Sequence, residues 1–250
     1  MTIQVYGDGE RERAAARILR AALAGRSGVL RLFPIPTKSP EGQVPAARGD
    51  FAVGYAFPSA LARDLAERGV PVIDLAQDEV FLKENARLTA LGALGHILCT
   101  QGAAPSGLTV GIVGFGRIGS ELLRLFLFLG ATCRVYTASE EKRRELGSFG
   151  IGCERSDGEE TGERFRGLDL LINTAPAKLI RPEEAPALGA VRVLELASGD
   201  NIPKAVAFER LASIPGRMFA RDAARLYAAA AMRALNAALP EEPKGGEPRG

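Results

Sequence analysis

The chain has 250 residues, 46% of them hydrophobic and 25% charged, which is the balance of a globular protein large enough for one or two buried cores. Its 32 basic and 30 acidic side chains nearly cancel, so charge gives no case for nucleic acid or a membrane surface as partner. The most apolar stretch, residues 122–129, is broken by Arg124 and falls far short of the roughly 20 residues that span a bilayer. Three cysteines, Cys99, Cys133 and Cys153, are odd in number and lack metal-ligand spacing, and Met1-Thr2-Ile3-Gln4 opens no secretory pattern. Reduced thiols in a cytoplasm are therefore the expectation.

In chain order, residues 3–6 read as a short strand, 10–23 as a helix and 29–33 as the next strand. Pro34, Pro36, Pro40 and Pro45 mark a loop, because proline removes a backbone donor and resists helix. Residues 50–56 then read as a strand, 59–68 as a helix and 70–75 as a strand, an alternation that implies a mostly parallel sheet. Residues 78–100 form one long helical pattern, with Leu88, Leu91, Leu94 and Leu98 along one side, ended by the breakers of 101–107.

Residues 108–113 are a buried strand. Beyond them Ile118, Leu122, Leu125 and Leu129 recur at the spacing of a helix face. Further strands are expected at 132–136, 168–173 and 191–196, with helices between them. An alanine-rich helix at 221–239 carries Ala228, Met232, Leu235 and Leu239 on one stripe. The expected organisation is a small N-terminal α/β domain (1–77), a crossing helix (78–101) and a Rossmann domain (102–220). A last helix is expected at 221–239, and 240–250 are expected to form a disordered tail. The fold class is α/β, with a Rossmann-type doubly wound parallel sheet in the larger domain.

The segment Gly114-Phe115-Gly116-Arg117-Ile118-Gly119 joins a buried strand to an amphipathic helix. In that context the first glycine allows the turn and the second lets amides approach a pyrophosphate. The third lets the helix pack on the strand, and the helix N-terminus offers free N–H groups to the anion. The competing reading is a tight turn that binds nothing.

Cofactor choice is made about twenty residues on, where an acid at the tip of the second strand accepts from the ribose 2′-hydroxyl of NAD. Here the tip is Thr137-Ala138-Ser139, without an acid, and Lys142, Arg143 and Arg144 follow. Hydroxyl donors and cations suit a 2′-phosphate, so Thr137, Ser139 and Lys142 favour NADP over NAD. Glu140 and Glu141 argue the other way, and Arg143 or Arg144 also reads as a solvated helix face.

Asn173-Thr174-Ala175-Pro176 follows a strand and should line the cofactor crevice, since α/β sheets bind ligands beyond their strand C-terminal ends. Glu195 and Ser198 follow another strand and are the weak catalytic candidates; for Glu195 the competing reading is a turn acid or helix cap. Gly7-Asp8-Gly9-Glu10 lacks a third glycine and reads as a plain turn. The single histidine, His96, reads as helix packing against catalysis, and it excludes a histidine-rich metal cluster.

With these residues in place the chain resembles the dipicolinate synthase A-subunit family. That family shares its cofactor domain with D-isomer 2-hydroxyacid dehydrogenases and adenosylhomocysteine hydrolase. The likeness runs from about Leu30 to about Ala230, through Phe33-Pro34-Ile35-Pro36, Thr89-Ala90-Leu91-Gly92 and the glycine loop. It continues through Ile172-Asn173-Thr174-Ala175-Pro176-Ala177, Glu195-Leu196-Ala197-Ser198 and Ile214-Pro215-Gly216. The resemblance implies oxidation of dihydrodipicolinate, or a related small carboxylate, with a nicotinamide cofactor in sporulating bacteria. It further implies a second, flavoprotein-like subunit, and a last helix (221–239) that packs back on the first domain. A homo-oligomer is also expected.

The chain departs from the family at Leu91, where a glutamate is usual, after Ser198, where Gly199-Asp200-Asn201 follows, and at Ala220 within Phe219-Ala220-Arg221-Asp222-Ala223-Ala224. It also lacks the His/Glu pair and substrate arginine of the 2-hydroxyacid dehydrogenases. These departures motivate the alternative reading, a non-catalytic NAD(P)-binding protein with a regulatory or scaffold role.

Overall fold

A computed structural model describes residues 1–40, 44–156 and 164–238. They form two units, Met1–Asn85 with the C-terminal segment from Pro215, and Ala86–Ile214. Leu239 and the tail expected at 240–250 lie outside the described residues.

The first unit opens with β1 (Thr2–Val5), α1 (Glu10–Ala22), β2 (Val29–Leu32), β3 (Phe51–Gly54), α2 (Ser59–Glu67) and β4 (Val72–Asp74). The strands pair in parallel in the order β1-β2-β3-β4, with Ile3 opposite Leu30 and Leu30 opposite Phe51. Because side chains alternate along a strand, Leu30, Leu32 and Val53 enter one core with Ala15, Ala16 and Leu19 of α1. Phe33 and Ala52 enter another, with Leu61 and Leu65 of α2. On that same side the buried Arg31 guanidinium meets Asp50 at 2.8 Å.

The chain passes to the second unit within α3 (Glu79–Thr100), between Asn85 and Ala86. The leucine stripe expected along this helix is displaced. Ala90, Ala93, Leu94 and Ile97 are buried against the sheet, while Leu98 is half exposed. Small side chains let the helix axis lie close to the strands; of the four leucines Leu94 joins them in the core, Leu88 and Leu91 are partly buried, and Leu98 turns toward solvent.

The second unit continues with β5 (Thr109–Val113), α4 (Arg117–Phe128), β6 (Thr132–Tyr136), α5 (Glu140–Ser148) and β7 (Gly152–Glu154). Then come β8 (Leu170–Asn173), α6 (Ala185–Leu188), β9 (Arg192–Glu195) and β10 (Glu209–Arg210). All strands are parallel, in the order β10-β9-β8-β5-β6-β7. Counted within the unit this is 6-5-4-1-2-3: the chain winds outward from β5 in one direction, crosses back, and winds outward from β8 in the other. Val110, Ile112, Val135, Ile172 and Leu194 face α3 and α4. Val113, Tyr136, Leu171 and Val193 face a second core with Phe165, Ile180 and Leu188. Burial on both faces explains why these strands read as apolar runs instead of alternating ones.

A buried ion pair holds this second face. Arg164 donates through Nε and Nη2 to the two oxygens of Glu184 at 2.5 and 2.8 Å, and to the carbonyls of Ser156 and Leu179. The Arg164 carbonyl in turn accepts from the Tyr136 hydroxyl at 2.6 Å, fixing the end of β6.

At the start of α7 (Ile214–Met218), from Pro215, the chain rejoins the first unit, where α8 (Ala220–Ala238) lies along α1. Ala224, Tyr227, Ala228, Ala231 and Leu235 complete the core of Leu30, Leu32 and Phe51. The Tyr227 hydroxyl shares its proton between the carbonyls of Phe33 and Val53, at 2.8 and 2.9 Å.

Candidate nucleotide-binding site

In a doubly wound sheet, ligands sit beyond the strand C-terminal ends at the point where the winding reverses. Here that point lies between β5 and β8, the two central strands. The glycine loop leaves β5, and Asn173-Thr174-Ala175-Pro176 leaves β8. The two segments touch: Thr174 Oγ1 lies 3.0 and 3.2 Å from the carbonyls of Val113 and Gly114 and donates to them.

Each glycine of the loop has a different surrounding. Gly114 has φ +89°, and a Cβ there would lie 2.9 Å from Thr174 Oγ1 and 3.0 Å from the Ala175 nitrogen. A Cβ on Gly119 would collide with the Gly114 carbonyl oxygen, so the helix can approach the strand only with glycine at that position. Gly116 is unlike both. It caps α4 with φ −93° and ψ −160°, a backbone open to any residue, and a Cβ there would meet nothing within 4 Å. Gly116, the N-cap residue of α4, has no side chain to cap the first turn of the helix.

The tip of β6 is brought to this loop. Lys142 Nζ donates to the Phe115 carbonyl at 2.7 Å and sits 5.7 Å from the Phe115 ring centre. Ser139 caps α5, its hydroxyl accepting from the Lys142 amide, and Thr137 Oγ1 accepts from the Ser139 amide. Both hydroxyls keep their own proton for a further acceptor. Arg143, a helix-surface group by its sequence pattern, instead donates to the carbonyls of Thr137 and Ala138 and braces the strand tip. Glu140 is spent on an exposed pair with Arg144.

Asn173 and Glu195 lie opposite each other where β8 and β9 end, and both are buried. Asn173 Nδ2 donates to Glu195 Oε1 at 3.0 Å, and the Ala197 amide donates to the same oxygen at 2.9 Å. Burial pushes the Glu195 carboxyl above its usual range, against the lowering effect of these donors. Ser198 and Pro176 are exposed nearby, and Asn201, which no sequence motif singles out, donates to the Ser198 carbonyl. Only the strand register pairs these residues, and no local pattern announces it.

The remaining reactive side chains lie elsewhere. His96 contacts Glu209 at 2.8 Å and Arg192 at 3.2 Å, at the strand N-terminal ends, the edge away from the glycine loop. Burial pushes the Cys133 thiol up to about 11, far from thiolate chemistry. Among the described residues no helix is long and apolar enough to cross a membrane, and no group of three His, Cys, Asp or Glu side chains is placed to hold a metal.

A six-stranded parallel sheet wound in this order, with a glycine loop at its reversal point, defines a Rossmann-type fold. Among solved structures the chain is similar to the dipicolinate synthase A-subunit from Bacillus halodurans. The TM-score is 0.80 at 16% identity, over 97% of this chain and 98% of that one. It is also similar to the corresponding dipicolinate synthase chain from Bacillus subtilis, with TM-score 0.77 and 17% identity over 95% and 96% of the two chains. The apo D-lactate dehydrogenase of Escherichia coli shares the fold at TM-score 0.65 and 11% identity, over 95% and 97%. No family model and no curated protein sequence matches the chain. At these identities the likeness is one of fold.

Proposed function

We propose that this chain is an NADP-dependent oxidoreductase similar to the dipicolinate synthase A-subunit. In this reading it oxidises dihydrodipicolinate or a related small carboxylate in the cytoplasm of a sporulating cell, as a homo-oligomer working with a second, flavoprotein-like subunit. One observation carries the nucleotide reading. Gly114 and Gly119 are required by the protein's own packing, whereas among the described residues none comes close enough to require glycine at Gly116. A glycine with no such neighbour, at a helix N-terminus that it cannot cap with a side chain, is accounted for by a ligand that must approach the backbone there.

In this reading the amides at Gly116, Arg117 and Ile118 receive the pyrophosphate, and Asn173 to Pro176 form the facing wall. The absence of an acid at Thr137-Ala138-Ser139, with Lys142 held at the glycine loop, supports a 2′-phosphate over a 2′-hydroxyl. A nicotinamide bound there supplies hydride chemistry. Gly116→Ala is the test. Calorimetry should show NADP binding to the wild type and a loss of about tenfold or more in the variant, with an unchanged melting temperature. Absence of binding by the wild type to either NADP or NAD overturns the reading.

The alternative, a non-catalytic NAD(P)-binding protein with a regulatory or scaffold role, is favoured by a separate observation. Glu195 is fully buried and His96 lies at the far edge of the sheet, so neither offers an accessible acid or base. Cofactor-dependent turnover of dihydrodipicolinate, by the chain alone or with its second subunit, would exclude it.

A further inference from the structure

At the ends of β8 and β9, one carboxylate ties together the loops that leave both strands. Glu195 has no solvent exposure, so it cannot touch a substrate as acid or base. Its contacts are internal. Oε1 and Oε2 lie 3.0 and 3.2 Å from Asn173 Nδ2, and Oε1 accepts from the Ala197 amide at 2.9 Å. Asn173 passes this order onward, with its Nδ2 on the Ala175 carbonyl at 3.2 Å and its Oδ1 accepting from the Ala175 amide at 3.3 Å. Thr174 and Ala175 then form the wall behind Gly114, the first glycine of the loop.

We propose that Glu195 is a positioning residue of the nucleotide site, setting affinity by holding residues 173–175 against the glycine loop. This rests on the nucleotide reading given above. The ionised carboxylate suits the task because the groups pointing at it are N–H donors, and it has no proton of its own to place. Protonation puts an O–H among those donors, and the frame loosens. The charged side chain facing it from the neighbouring strand is Arg210 of β10, itself held by the Gly199 carbonyl and by Asp200.

Affinity and the Glu195 contribution to stability should consequently respond to pH in opposite directions. Burial raises the folded-state value of Glu195 above its unfolded value. Ionised Glu195 therefore costs folding stability above the folded value, and that cost vanishes below the unfolded one. Acidification should remove the cost carried by Glu195 while weakening nucleotide binding, against the opposite contributions to stability of Asp50, Asp78 and Glu209, whose carboxyls are held below their usual range.

The experiment is calorimetric titration of wild type and Glu195→Gln with NAD and NADP, from about pH 8 down to about pH 4.5, with melting temperatures alongside. NAD is included because a 2′-phosphate titrates in this range itself. Wild-type affinity for NAD should fall about tenfold or more on acidification. The Gln variant should bind about tenfold more weakly at the upper pH, show little pH dependence, and melt no lower than wild type. A wild type that binds neither nucleotide overturns the nucleotide reading and this inference with it. A wild type that binds, with a Gln variant equal to it at every pH, overturns this inference alone. The wild-type profile needs no variant, so a Gln chain that fails to fold leaves the test standing: a flat NAD affinity across the range overturns the proposal.

Discussion

The chain builds the same strand-to-helix turn twice, and the two copies end differently. Gly7-Asp8-Gly9-Glu10-Arg11-Glu12 joins β1 to α1, and Gly114-Phe115-Gly116-Arg117-Ile118-Gly119 joins β5 to α4. Gly9 and Gly116 occupy matching cap positions. At the third glycine position of the second turn, the first turn has Glu12. Its carboxylate folds back over Gly9, where a Cβ would collide with it, and it is buried together with Arg11, which also donates to the Ile35 carbonyl. One helix N-terminus is supplied with an anion from its own sequence; at the other, the matching position is Gly119, which carries no side chain. A glycine loop thus needs more than its first two glycines. The third position decides whether the turn is filled from inside or open to a ligand.

The largest effect should come from breaking the filled turn. Glu12→Ala leaves the Arg11 guanidinium buried without its carboxylate, which should cost about 3–5 kcal/mol of stability in urea denaturation followed by circular dichroism. Nucleotide affinity at temperatures where the variant remains folded should not change. A loss of affinity there would mean that the two turns are not independent.

The open turn should respond in both measurements. Gly119→Ala pushes a methyl group into the Gly114 carbonyl, and overpacking of that kind costs about 1–3 kcal/mol. It should also abolish measurable NADP binding, because the displaced carbonyl belongs to the loop itself. Unchanged stability would show that the third glycine is not needed for packing, and would remove the contrast with Gly116.

The smallest effect concerns the choice between cofactors. Lys142→Ala should weaken NADP about tenfold more than NAD, and Ser139→Asp should shift preference toward NAD by a similar factor, both read by calorimetry. Equal losses for the two nucleotides would show that Lys142 acts only as a brace on the Phe115 carbonyl.

Much of the fold was legible in the sequence where a period was long enough to register. The strands at β5 and β6 and the helix at α4 are examples, although the buried face of α4 is Leu122, Leu123 and Phe126, with Ile118, Leu125 and Leu129 of the expected stripe only partly buried beside it. What escaped lacks a period. β7 has three residues and β10 two, and α7 contains Pro215 and Gly216, which read as breakers. On α3 the leucine spacing advertised a face of which only Leu94 lies in the core, beside Ala90, Ala93 and Ile97, because spacing reports helicity more surely than which side lies against a sheet.

The site divides along the same line. The glycine loop is contiguous and could be read directly. The Lys142 contact to Phe115 spans 27 residues and Asn173 to Glu195 spans 22, so both depend on strand register. The acid at a strand end was visible; its complete burial was not.

Tyr227 and the rest of α8 have a consequence for how the chain is made. The core beside Leu30, Leu32 and Phe51 is covered partly by α1 and partly by α8, which lies some two hundred residues further along the chain. Emerging from a ribosome at roughly 5–20 residues per second, the second unit has all of its residues by Ile214 and can fold at once. The first unit, begun earlier, waits with an uncovered apolar face until residues 220–238 arrive. The half made first is finished last, and in that interval it is the half that most needs shielding by a chaperone.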